Sequence, residues 1–266
     1  MISNSKAQQV SISQIAEHIL GKKDLKVNKS KTEFTTLHRG TKDSETWRNV
    51  KKVGSLLGDQ QDIARRKQLA IAAMRTMNNV WLRGHTATSR KTRLKLFDSL
   101  VIHTLLYNSS CWGLRKVDIE LLNSFHRQLL RRVCHIYWPH RISRKKLYRI
   151  TNTRPISIRI TQYRWRYLGH ALLLPDDSPP KRAMFWCFVN EPQYKRAKGR
   201  QRETIVTTIQ RDIEITKDCF DTFQLSSLED LEDYIIIKTL AQNRKVWNII
   251  VKAVVAAAEA KISSCA

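Results

Sequence analysis

Carboxylates are scarce in this chain: 23 Asp and Glu face 48 Lys and Arg over 266 residues, a formal net charge of +25. With 42% hydrophobic residues it still has the apolar content for one large or two modest cores. A folding chain with that charge is expected to meet a polyanion, nucleic acid ahead of an anionic membrane surface. Long apolar runs are missing as well. The first twenty residues lack the uninterrupted apolar core of a signal peptide, and AVVAAA near the end is too short to span a bilayer. These absences lead us to expect a soluble protein of the nucleus or cytoplasm, or both, with no membrane partner. The five cysteines, Cys111, Cys134, Cys187, Cys219 and Cys265, are odd in number and contain no C-x-x-C pair, which argues against a disulfide framework. Internal repeats, low-complexity tracts, a P-loop and a nucleophile elbow are all absent.

What the sequence does contain is helical periodicity. Ala70, Met74, Met77 and Trp81 recur at four, three and four, with Asp59 as the expected N-cap and Gly84 as the expected stop. Leu94, Phe97, Val101 and Leu105 form a second stripe, and Ile119, Leu122, Phe125, Leu129, Val133 and Ile136 a third. Pro139 closes that helix, SRKKLYRI reads as a short one, and Pro155 opens another whose stripe is Ile156, Ile160, Tyr163 and Tyr167. Val206, Ile209 and Ile213 mark a further helix, and Leu240, Trp247, Ile250 and Val254 align in the last. Residues 1–58 differ: LKVNKSKTEFTTLHR and VKKVGSLLGD read as two short strands joined by a turn, a sheet edge too small to stand alone. The expected fold is mainly α, a helical bundle with a small N-terminal β element, divided at 1–58, 59–138, 139–216 and 217–266.

The charge is concentrated. Between Arg115 and His170 the balance is +12, with Asp118 and Glu120 as the two acids, whereas between Lys217 and Tyr234 six acids face one lysine. Arg127, Arg131 and Arg132 fall on the polar side of the third helix, and Arg144, Lys145 and Lys146 follow just beyond it. In the fourth helix Arg159, Arg164 and Arg166 alternate with Tyr163, Trp165 and Tyr167. Such a platform suits phosphate neutralisation, with Arg127, Arg131, Arg132, Arg144, Lys145, Lys146, Arg164 and Arg166 as the candidate contacts and the aromatics assigned to the core. KRAKGRQR, Lys195 to Arg202, is a weaker basic patch.

Metal chemistry finds little support. Asp176 and Asp177, in LLLPDDSPPKR, sit between prolines with no third carboxylate nearby, so a solvated turn is expected rather than a two-metal centre. Cys134, His135 and His140 are the best zinc set, but Cys134 and His135 are helix neighbours whose side chains diverge by about 100°. No cofactor and no catalytic residue is assigned.

A series of phrases in order, KVNKSKTEF, VKKVGSLLGD, DIARRKQLA, LKLFDSLVIHTLLYNSSCWGL, LLNSFHRQLLRRVCHIYWPHRISRKKLYRIT, RYLGHALLLPDD, KRAKGRQRETIVTTIQRDI and LAQNRKVWNIIV, resembles the C-terminal part of non-LTR (LINE-type) retrotransposon reverse transcriptases. The resemblance runs from about Leu25 to Val254. It implies that Asn28 to Phe34 matches the last palm motif, that Val53 to Gly58 matches the strand and turn before the thumb, and that Asp59 to about Trp138 matches the thumb. The remainder would be the connector and C-terminal segment. The family's metal-binding aspartates belong to an aromatic-x-Asp-Asp box and an earlier palm motif, both of which would lie upstream of Met1, so Mg²⁺ is expected only in a full-length relative. The implied function is that of a transposon-derived fragment of an RNA-directed DNA polymerase, binding RNA, DNA or their hybrid without catalysing. A domesticated DNA- or RNA-binding regulator and an inert product are the rivals. Three positions depart from the family pattern: Asn108 where Gly is common, Gln201 where Pro is, and Asn243 where Asp is.

Overall fold

The structure is a computed structural model that describes residues 5–32, 48–83, 87–190, 203–221 and 231–264. It is mainly helical, with one two-stranded antiparallel sheet among the described residues. The backbone divides into two units, Met1–Val50 and Lys51–Ala266. The first carries helix α1, Lys6–Gly21, where no helix was expected although Ile12, Ile15 and Ile19 recur at three and four. Ser5 caps it, its hydroxyl accepting from the Gln8 N–H at 3.2 Å, and Val10, Ile15 and Ile19 remain about half exposed. Lys29–Lys31 form a 3₁₀ turn capped by Asn28, where a strand was expected, and residues 33–47 of that expectation lie outside the described residues.

The β element is smaller than the sequence suggested and lies in one phrase. Strands β1, Lys51–Lys52, and β2, Ser55–Leu56, pair within VKKVGSLLGD itself, Lys51 opposite Leu56. Their two-residue turn places Val53 at φ 46° and Gly54 at φ 82°, the sign that matches strand twist. Glycine suits that position, whereas a β-branched valine there is strained. Three side chains hold the turn: the Tyr107 hydroxyl donates to the Val53 carbonyl at 2.9 Å, and Arg65 and Arg66 donate to the Gly54 carbonyl.

Helix α2, Asp59–Thr76, follows. Gly58 rather than Asp59 is its N-cap, because the Asp59 carboxylate turns away to accept the Gly113 N–H at 3.0 Å. Next come α3, Arg90–Leu96, a π-helical stretch Phe97–Ile102, and α4, His103–Leu105, which together form the second expected stripe. Helices α5, Lys116–Val133, α6, Arg144–Thr151, and α7, Ile156–Leu173, follow. The chain then forms α8, Pro179–Phe185, α9, Ile205–Ile215, α10, Lys217–Asp221, α11, Leu231–Gln242, and α12, Arg244–Ser264. The expected stop at Gly84 lies outside the described residues.

Two apolar clusters fill the larger unit, and they divide along α7 rather than between helices. Ala70, Met74, Trp81, Phe97, Val101, Leu105, Leu122, Leu130, Leu147, Ile156 and Ile160 belong to the first. Trp165, Leu168, Leu172, Phe188, Ile209, Ile213, Phe220, Ile237, Trp247 and Ile250 belong to the second. Helix α7 therefore buries one face near its start and another farther along, which is why a single stripe through Tyr163 and Tyr167 described it incompletely.

The second cluster contains a buried polar knot. Asp212 of α9 accepts from Arg164 at 3.0 Å and from the Trp165 indole at 2.9 Å, while the Trp247 indole donates to the Trp165 carbonyl at 3.1 Å. Trp247 lies directly on Gly169, where an added Cβ would come within 2.2 Å of its indole nitrogen. Removing Asp212 leaves a guanidinium at 2% exposure without its carboxylate. Asp212→Ala is expected to cost about 3–5 kcal/mol and to lower the thermal midpoint by roughly 10 °C. Asp177→Ala, on an exposed turn, should leave the midpoint within about 1 °C. A thermal melt of both variants checks this, and an unchanged Asp212→Ala midpoint would show that the knot contributes little.

Candidate functional site

The end of α5 and the start of α6 bring exposed cations together. Helix α5 begins with the Asp118 carboxylate accepting from the Arg115 backbone N–H at 3.3 Å, from its Nε at 2.8 Å and from a terminal nitrogen at 2.9 Å. Those bonds hold the Asp118 carboxyl below its ordinary pKa. Leu122, Leu129, Leu130 and Val133 bury one side, leaving Arg132 exposed and Arg131 half-buried in the last turn, where cations also suit the helix dipole. His135 then turns the chain at φ 56°, and Tyr137, Trp138, Pro139, His140 and Arg141 are all exposed.

Helix α6 starts against its own dipole. Ser143 caps it, accepting the Lys146 N–H at 3.2 Å, but its first turn is Arg144, Lys145 and Lys146, all exposed, with no acid among them. Cations at a helix N-terminus are unfavourable by a few tenths of a kcal/mol to about 1 kcal/mol each, and an anion bound there would reverse the sign. Burial pushes the Tyr148 hydroxyl above its ordinary pKa, and the positive charges of Arg127, Arg131 and Arg144 pull against it. All three charges therefore act on one hydroxyl, and Lys145 and Lys146 share the first turn of α6 with Arg144.

The expected contacts fall into three groups. Arg131, Arg132, Arg144, Lys145 and Lys146 stand at the accessible face, and Arg127 supports it from beneath at 9% exposure. Arg166 is exposed, on the half of α7 that packs in the second cluster. Arg164 leaves the set: it is 2% exposed and bonded to Asp212, so its charge serves the interior. Arg159 is likewise tied to Asp98, and Trp165 is fully buried. Lys195 to Arg202 lie outside the described residues.

Two features escaped the sequence. Arg75 of α2 comes next to Arg132 and Tyr137 at a cleft of about 310 Å³ whose floor includes Met74 and Trp81. Trp138 is 81% exposed. In this stretch Cys134, His135 and His140 are the weaker signal, and Tyr137, Trp138 and Pro139, between cationic helix ends, are the stronger one. A larger cleft, about 500 Å³, lies between α8 and α11, but two of its cations, Lys181 and Lys238, already hold Asp176 at 2.9 and 3.3 Å. Those bonds keep the Asp176 carboxyl below its ordinary pKa. The adjacent aspartates thus belong to a turn after α7, with Asp176 tying it to α11. Among the described residues no three His, Cys, Asp or Glu side chains are placed to share a metal ion, and no helix is long and apolar enough to cross a membrane.

No family model matches the chain, and no curated protein or solved structure matches it.

Beneath the cationic face lies His126, 3% exposed, between Phe97 and Tyr148, with ring centroids 6.1 Å from each. Burial first, then the charge of Arg159, lowers its pKa to about 3. The unfolded chain binds this proton near pH 6.5, so the stabilisation is complete above that value and is lost as pH falls toward 3. Asp59 acts in the opposite sense: burial raises its pKa to about 6, so its contribution is present below 3.8 and is lost as pH rises through 6. Urea midpoints measured from about pH 7 down to about pH 4 should fall, less steeply for His126→Phe and more steeply for Asp59→Asn. Identical slopes in all three proteins would rule out this assignment.

Proposed function

We propose that this chain binds nucleic acid through the face made by the end of α5, the loop after it and the start of α6, as the thumb and C-terminal part of a LINE-type reverse transcriptase. In this reading the β1–β2 hairpin is the strand and turn before the thumb, and the chain grips RNA template and DNA primer without performing nucleotidyl transfer. The observation that carries the reading is the concentration of unneutralised cations: Arg131, Arg132, Arg144, Lys145 and Lys146 crowd two helix ends, and the first turn of α6 holds no acid. Closely spaced phosphates are the anions that such a surface neutralises best.

Two of the three departures from the family pattern, Asn108 and Asn243, are physically mild, which supports the resemblance; Gln201 lies outside the described residues. Asn108 stands at φ 61°, a backbone that glycine takes most easily and asparagine next. Asn243 caps α12, its side-chain oxygen accepting the Lys245 and Val246 N–H groups at 3.1 and 3.3 Å, a task an aspartate performs equally well. Two of the matching phrases also meet in space, since Gly169 of RYLGH makes room for Trp247 of RKVW. The adjacent carboxylates Asp176 and Asp177 do not suggest transfer chemistry, because Asp176 is taken up by two lysines.

Fluorescence anisotropy with a labelled RNA–DNA primer-template, a plain DNA duplex and a single strand, across a salt series, tests the proposal. Affinity should fall steeply with salt and should be highest for the primer-template. Replacing Arg144, Lys145 and Lys146 together with alanine should shrink the logarithmic salt slope by about 2 to 3. An unchanged slope would remove this face from the interface. Preference for particular duplex sequences over the primer-template would favour a regulator instead, and no binding at low salt would end the nucleic-acid reading.

A further inference from the structure

We infer that the cleft between α2 and the loop after α5 holds one unstacked base of a single-stranded segment, and that Trp138 stacks on its neighbour. The inference rests on the nucleic-acid reading and concerns the single-stranded part of a primer-template, the template beyond the paired primer.

The chemistry of the cleft points to a base and its phosphates. Its volume, about 310 Å³, is at the small end of ligand sites, which run from about 300 to 1,000 Å³. That is room for a planar group and its sugar, not for a duplex. The floor is apolar and aromatic: Met74 at 3% exposure, and Trp81 at 1%, whose indole N–H is already given to the Met74 carbonyl at 2.9 Å. Tyr137, half exposed, forms one wall, and Asn78 offers an amide that can read a base edge. At the rim stand Arg75 and Arg132, and among the described residues no carboxylate lines the cleft. An acidic side chain would be needed there to receive a cationic ligand, and a purely apolar ligand would gain nothing from two guanidiniums.

Position along the chain supports this. Arg132 lines the cleft from the last turn of α5, and the loop that follows it carries Tyr137 and leads to Arg144, Lys145 and Lys146 at the start of α6. A strand whose phosphates follow that face would bring its bases to the cleft. Trp138 follows Tyr137 of the cleft wall directly in the chain and is 81% exposed, so its ring is accessible for stacking. Aromatic rings beside a cationic groove are the common means of holding single strands without regard to sequence, since every base has a stacking face. Duplex bases are already stacked and are not available to such rings.

The test uses the full chain and two labelled probes, a dodecamer of thymidylate and a DNA duplex of equal length, read by anisotropy and by quenching of tryptophan emission. Trp138→Ala and Tyr137→Ala should each weaken thymidylate binding by about 10-fold, leave duplex affinity within about 2-fold and leave the salt slope unchanged. Trp138→Phe should restore most of the loss. Because Trp138 is solvent-exposed, its variants should melt with the parent, so a loss of binding does not reflect unfolding. Arg75→Ala combined with Arg132→Ala should shrink the thymidylate salt slope. If Trp138→Ala binds thymidylate as tightly as the parent while the triple replacement at Arg144, Lys145 and Lys146 still lowers the slope, the stacking site is overturned and the cationic face stands. Equal losses on thymidylate and duplex would also overturn it. If the parent binds neither probe, the nucleic-acid reading itself fails. An acidic peptide that displaces the thymidylate without binding the cationic face would assign the cleft to a protein partner and overturn the inference.

Discussion

The carboxylate of Asp212 is the point around which the second half of the molecule is organised. Within one set of contacts it fixes Arg164 and Trp165 of α7 from α9, and Trp165 in turn offers its carbonyl to Trp247 of α12. Burial tends to push the Asp212 carboxyl up, and the Arg164 guanidinium opposes that. A buried pair of this sort contributes little net stability compared with an apolar pair of the same shape, yet losing one partner is costly. The two indole N–H bonds define how the large rings sit, and Gly169 lets Trp247 approach the α7 backbone. Orientation of three helices, more than gross stability, follows from this arrangement.

The scarcity of acids has a spatial counterpart. Many of the few carboxylates are committed to named ties: Asp62 with Arg66, Asp98 with Arg159, Asp118 with Arg115, Asp176 with Lys181 and Lys238, Glu203 with Arg211, and Asp212 with Arg164. Several join segments far apart in sequence. Asp62 further receives the Leu56 N–H and the Trp112 indole, linking the hairpin to the loop before α5. With carboxylates so used, the cations at the end of α5 and the start of α6 keep their charge for solvent or for a ligand. Two of these ties, Asp62 with Arg66 and Asp212 with Arg164, are buried, and the others lie nearer the surface.

Much of the helical fold was legible in the order of residues. The stripes through Ala70, Phe97, Leu122 and Ile209 each proved buried, and Pro155 and Ser143 stand at helix starts as their chemistry dictates. The β element was legible in kind but misplaced, because a two-residue turn with Val53 at positive φ has no sequence signature of its own and is held by Tyr107, Arg65 and Arg66 from elsewhere. Helix α1 was missed although Ile12, Ile15 and Ile19 recur at three and four, and none of its residues is buried. Of the candidate contacts, Arg132, Arg144, Lys145 and Lys146 are exposed and Arg131 is half-buried, placements that local charge alone suggested. Arg164 was misread because a cation opposite an apolar stripe looks solvated until a second cluster packs over it.

Composition and periodicity by themselves determined that the chain is helical, strongly basic and richest in cations between Arg115 and His170. These are properties of neighbours in sequence, set by a repeat of 3.6 residues and by simple charge count. Only the tertiary structure decided which arginines are spent on Asp98 and Asp212 and which remain outside. It also brought Arg75, sixty-odd residues before the YWPH loop, to the rim of the cleft beside Arg132 and Tyr137. Burial and pairing depend on what packs over a helix face, and that is fixed by contacts between segments distant along the chain.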